Sequence, residues 1–95
     1  IKLPEGKIAV LEGLKDYIKI YLDGESKAVL TLNSLKEMEK ILPENTFIRV
    51  HRSFIVNVGF VRGMERNLII MPGEKVPMGE SYKQRFVEII DKKTI

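Results

Sequence analysis

The residues best suited to chemistry lie in one run, Phe47-Ile48-Arg49-Val50-His51-Arg52-Ser53-Phe54-Ile55-Val56-Asn57. His51 is the only imidazole of the chain and Ser53 stands two positions on, so a histidine-activated serine is the first chemistry to weigh. The neighbours argue against it. Arg49 and Arg52 surround the imidazole with positive charge, and no aspartate or glutamate between Asn45 and Met64 is at hand to orient it. A metal site fares no better, because one histidine and no cysteine leave only carboxylates, and these lack EF-hand spacing. Gly59, Gly63, Gly73 and Gly79 are spaced as turns and not as a phosphate-cradling loop. The sequence reads as a non-enzymatic protein that calls for no cofactor and no metal.

The same run has the side chains that meet nucleic acid. Phosphates ask for exposed cations on loops, and base edges ask for forked or amide groups. Four of the five arginines, Arg49, Arg52, Arg62 and Arg66, fall within one stretch of the sequence, whereas the eleven lysines are scattered. The planar guanidinium grips guanine edges or phosphates with two parallel hydrogen bonds. A net charge of +3 and a pI near 9.2 fit a polyanionic partner, and they also fit an ordinary solvated basic face. Tyr17, Tyr21 and Tyr82 are candidates for stacking on unpaired bases, with a half-buried aromatic as the plainer alternative. Phe54, Val56 and Val58 read as core. Asn57 reads as a backbone-bonding residue at a strand end, with a base contact as the lesser alternative.

These residues need a scaffold, and the apolar spacing supplies one. Ile8–Leu11, Tyr17–Leu22 and Ala28–Leu32 read as strands, the last two joined through the turn signal Asp23-Gly24. Ser34-Leu35-Lys36-Glu37 has the form of a capping box opening a helix, with Leu35, Met38, Ile41 and Leu42 as its apolar face and Pro43 as its stop. Phe47–His51 and Phe54–Asn57 are strands either side of a turn at Arg52-Ser53; Val61–Met64, Leu68–Met71 and Lys75–Met78 continue an antiparallel meander. Ser81 is placed to cap a last helix whose Tyr82, Phe86, Ile89 and Ile90 share a face. The expected fold is mainly β: antiparallel strands in small packed sheets, with one short helix near the middle and one at the C-terminus.

Ninety-five residues suit a single domain spanning 1–95. The longest apolar run falls far short of the roughly 18 residues of a membrane span, so no membrane is expected to hold this domain. The start at Ile1 suggests a domain excised from a longer regulator, and the absence of cysteine suits a reducing cytoplasm.

The segments Leu11-Glu12-Gly13-Leu14-Lys15-Asp16-Tyr17, Ser34-Leu35-Lys36-Glu37, Leu42-Pro43, Phe47 to Asn57 and Val76-Pro77-Met78-Gly79-Glu80-Ser81-Tyr82-Lys83 together resemble the LytTR DNA-binding domain of bacterial transcription regulators, most of them response regulators of two-component systems. The resemblance covers nearly the whole chain. It implies an elongated β fold that reads double-stranded DNA through loops, in a cytoplasmic protein whose parent carries a receiver domain and binds paired sites as a homodimer. Carried over by position, the first contact loop is Lys15-Asp16-Tyr17. The second is the turn after Val50, with Arg52 at a base and Ser53 at a phosphate. The third is Gly79-Glu80-Ser81 with Lys83, and Arg66 is a phosphate contact from a neighbouring turn. Arg49, His51 and Asn57 are lesser candidates. Glu80 departs from the pattern, since many family members carry a basic residue there; it is expected to accept from cytosine, to cap the last helix, or to point away. The chain before Ile8 is shorter than the family's usual first strand. The rival readings are a β-rich protein-interaction module with a basic face, and a single-strand or RNA binder using its tyrosines.

Overall fold

The computed structural model describes residues 3–93. Strands β1 (Ile8–Gly13), β2 (Ile18–Leu22), β3 (Val29–Thr31), β4 (Phe47–His51) and β5 (Phe54–Asn57) form an antiparallel sheet in the order β3-β2-β1-β5-β4. Strands β6 (Gly63–Glu65), β7 (Leu68–Met71) and β8 (Glu74–Pro77) form a second one in the order β6-β7-β8. Helices α1 (Leu35–Ile41) and α2 (Lys83–Lys93) complete the fold, which matches the mainly β expectation. The strand expected over Val61–Met64 begins later, at Gly63, because Val61 N–H donates to Val58 O and closes a 3-10 turn over Val58–Phe60.

The larger sheet is covered on both faces, which explains why β1 reads as an unbroken apolar run, Ile8-Ala9-Val10-Leu11, and not as an alternation. On one face Val10, Ile48, Val50 and Val56 pack against Ile69 and Val76 of the smaller sheet and Phe86 of α2. On the other, Ile8, Leu11, Ile18 and Ile55 pack against Leu35 and Leu42 at the two ends of α1. A bulge between Ile8 and Val10 lets Ala9 and Val10 join the same core. Phe86 is completely buried, a contribution of about 1.5–3 kcal/mol for a side chain of its size. Among the described residues no helix is long and apolar enough to cross a membrane.

Helix α1 starts as the sequence implies, with Ser34 Oγ accepting from Glu37 N–H at 3.1 Å. The reciprocal bond comes from Asn33 and not from Glu37: Asn33 Oδ1 accepts from Ser34 N–H at 2.9 Å, while Glu37 pairs with Lys40. Ile41 is not part of the buried face and is 65% exposed. Six residues on from Leu35 it stands about 120° around the helix, whereas Leu42 returns to within about 20°.

Asn57 lies in the core, 5% exposed. Its Nδ2 donates to Ile8 O and its Oδ1 accepts from Gly59 N–H, both at 2.9 Å, so it ties β1, β5 and the following 3-10 turn. The base-contact alternative for Asn57 is therefore withdrawn, since the amide is buried and both its ends are used. Replacing Asn57 by alanine leaves Ile8 O and Gly59 N–H without these partners; urea unfolding should show a loss of about 2 kcal/mol.

A polar cluster sits where β1 and β2 approach β8. Tyr21 donates its hydroxyl proton to Glu12 Oε1 at 2.9 Å, and burial followed by this bond pushes the phenol up to about 12. Burial, then the charge of Glu12, raises the Glu74 carboxyl above its ordinary range, with Lys19 opposing. The fold thus holds the proton on Glu74 more tightly than the unfolded chain does. That stability is present below the ordinary carboxylate range and is lost as pH rises through the folded value. Glu74→Gln is expected to be more stable than the parent at pH 7, with the difference shrinking towards pH 4, as measured by denaturant unfolding at both values.

Candidate nucleic-acid interface

The turn between β4 and β5 is two residues long, Arg52-Ser53, between the paired His51 and Phe54. Two-residue hairpins usually adopt primed turns that need positive φ. Here neither residue has it; Arg66 is the only non-glycine with positive φ among the described residues. The mismatch in twist is met by a bulge between Arg49 and His51, at the base of the turn. Side chains hold what the ladder does not. His51 Nδ1 accepts from Ser53 N–H at 3.0 Å, and the ring sits edge-on to Phe54 with centroids 5.6 Å apart. On the other flank, Arg49 Nε donates to His51 O at 2.9 Å, Nη2 donates to Arg52 O, and Nη1 meets Glu39 of α1.

Backbone bonds join this turn to the other expected contact loops. Ser53 O accepts from Gly13 N–H at 2.8 Å, and the next loop closes on itself through Leu14 N–H to Tyr17 O. A Cβ on Gly13 would lie 3.0 Å from the Leu35 side chain, so the start of α1 docks directly on this loop. Val50 O accepts from Gly79 N–H at 2.8 Å, which brings in the third loop, and Met78 N–H donates to Asn67 O beside Arg66. Lys15–Tyr17, Arg52-Ser53, Gly79–Ser81 and the Arg66 turn thus form one connected row.

Lys15, Arg52, Arg66, Ser81 and Lys83 are exposed, and Ser53 is half-buried. None of these four cations forms an ion pair among the described residues. Tyr17 belongs to the loop and not to β2, and is 45% exposed. Ser81 does not cap α2: a 3-10 turn over Glu80–Tyr82 follows Gly79 and runs straight into the helix, and no side chain caps it. The capping role for Glu80 falls with it, and its carboxylate is exposed. The arginine cluster seen in sequence does not survive folding as a cluster. Arg49 is matched by Glu39, and Arg62, whose N–H donates to Ile70 O, stands at the opposite end of the β6–β7 hairpin from Arg66.

Two basic residues escaped the sequence reading. Lys36, in the first turn of α1, lines a shallow concavity of about 430 Å³ together with Lys15 and Arg52. Arg85 lines another of about 310 Å³ with Ser81 and Tyr82. Nothing in the sequence marked Lys36, because only the packing of Leu35 on Gly13 brings the start of α1 to this loop, whereas Arg85 could have been found from its spacing of four residues from Ser81.

The LytTr DNA-binding domain family model matches residues 1–91. The chain is 30% identical over 103 aligned residues to the sensory transduction protein LytT of Bacillus anthracis, covering 95% of this chain and 42% of that protein. It is 34% identical over 64 residues to the LytT of Bacillus subtilis, covering 61% and 27%. The chain therefore spans less than half the length of these curated relatives. Among solved structures, a LytTr DNA-binding domain from Bacillus cereus superposes with a TM-score of 0.81 at 32% identity, covering 95% of this chain and 86% of that one. With residues 1–91 of the chain matched by the family model and the fold shared, the chain belongs to the LytTr DNA-binding domain family.

Proposed function

We propose that this domain binds double-stranded DNA sequence-specifically, without catalysis, as the output part of a bacterial transcription regulator. The observation that supports the reading is the set of backbone bonds linking these loops through the β4–β5 turn, with Lys15, Arg52, Arg66 and Lys83 each exposed and in no ion pair among the described residues. The molecule is 35 Å in its longest dimension, about the length of one turn of B-DNA. Arg52, on a short braced turn, is the residue to read a base edge; Ser53, Arg66, Ser81 and Lys83 are phosphate contacts, and Lys15 and Tyr17 form the first contact loop. Lys36 and Arg85 extend the same basic surface. Glu80 points away from the phosphates, which would repel it. In the whole regulator a receiver domain supplies control, paired sites are met by a dimer, and the setting is the cytoplasm.

The tyrosines give the single-strand reading little support. Tyr21 is engaged with Glu12 and packs against the core, and Tyr82 is half-buried against Gly79, so Tyr17 is the only exposed one of the three.

Selection from random duplexes with this domain should enrich a defined motif at moderate salt, and no enrichment would sink the reading. Arg52→Ala should erase preference at one base-pair position, a loss of about 1–3 kcal/mol of discrimination. Arg66→Ala should weaken all duplexes alike and reduce the salt slope by about one. Equal losses on every duplex from Arg52→Ala would rule out its base-reading role.

A further inference from the structure

We propose that Arg49 is a positioning residue whose guanidinium straps the Arg52-Ser53 turn into the shape that reads DNA, with Glu39 of α1 as its anchor, and that it does not itself contact DNA. The proposal rests on the DNA-reading role above and assigns a new part within it.

The turn needs such a strap. It lacks the positive-φ residues that would let two strands reverse without splaying, and a bulge interrupts β4 just before it. Bulged backbone leaves groups outside the regular ladder, and Arg49 donates to two carbonyls in this stretch, Nε to His51 O and Nη2 to Arg52 O. The second of these belongs to the proposed base-reading residue, so the strap fixes the peptide from which the Arg52 side chain departs. The remaining edge of the fork, Nη1, is committed to Glu39 Oε1. A planar guanidinium can satisfy three acceptors in fixed directions at once; a lysine ammonium on a flexible stem cannot reproduce that geometry. His51 braces the opposite flank by accepting from Ser53 N–H, so the turn is held from both sides. Three of its five N–H groups are engaged within the fold and its charge is met by a carboxylate, so the Arg49 fork is committed to the turn and to α1.

The test uses Arg49→Lys and Glu39→Ala, each checked for native circular dichroism and thermal unfolding, with binding measured on the selected duplex, on the same duplex altered at the base pair that Arg52→Ala identifies, and across a salt series. The expected result for Arg49→Lys is a fall of about fivefold or more in discrimination at that base pair, with salt slope and binding to unrelated duplexes unchanged. Glu39→Ala should lower discrimination in the same direction. In an Arg52→Ala background Arg49→Lys should cause no further loss of discrimination, because its effect passes through Arg52. Undiminished discrimination in both folded variants would overturn the strap. So would a uniform loss on all duplexes with a salt slope reduced by about one in Arg49→Gln, which would make Arg49 a phosphate contact. Failure of the parent domain to select any motif would instead remove the DNA reading itself, so the two failures are separable.

Discussion

The arrangement of the proposed contact loops hangs on two carbonyl oxygens, those of Val50 and Ser53, either side of the β4–β5 turn. Ser53 O takes the N–H of Gly13 and Val50 O takes the N–H of Gly79, so loops separated by more than sixty residues in sequence are referenced to one hairpin. Buried or half-buried backbone groups must find partners, and here the partners are other loops and not solvent. Both strands of that hairpin insert apolar side chains into the cores on either face of the larger sheet, with Val50, Ile55 and Val56 almost wholly buried. The rigidity of the loops is therefore borrowed from the packing beneath them.

Much of this was legible in sequence because it follows local rules. The serine cap of α1, the Phe86 register of α2 and the strand pair around Arg52-Ser53 all have short-range signals: an oxygen three residues before an N–H, a spacing of about 3.6, two β-branched and aromatic runs either side of a polar knot. What escaped depends on long-range placement. Ile41 looks apolar enough for a core but lies on the wrong side of a short helix. Ser81 has the composition of a cap, yet the Gly79 bond to Val50 draws the chain into a 3-10 turn that makes a cap unnecessary. Asn57 bonds backbone at a strand end as its sequence context implies, and only its partner was out of reach: Ile8 O, far away in sequence, makes it a buried link between β1 and β5.

Charge shows the same division. The stretch from Asn45 to Met64 has no acid of its own, and taken along the chain it is a basic block. Folding brings Glu39 across from α1 to Arg49 and turns Arg62 away, so the surface is defined less by the arginines that cluster in sequence than by those left unmatched. Lys36 joins from the same helix that supplies Glu39. One face of one turn of α1 thus adds positive charge to the row while another residue of that helix removes it.

The two edges of the larger sheet are treated differently. The β4 edge is closed by the Gly79 bond and by α2 packed nearby, whereas β3 ends the sheet on its other side with three residues, Val29–Thr31, of which Leu30 is exposed, followed by exposed Leu32. A terminal strand carrying exposed leucine is the kind of surface on which foreign strands add and aggregates grow. Its brevity is the safeguard: three residues offer outward hydrogen-bonding groups for only about one or two rungs of a ladder, too few to hold an incoming strand in register. The shortness of β3, unremarkable for the positioning of the loops, thus limits what an apolar edge can offer to an incoming strand.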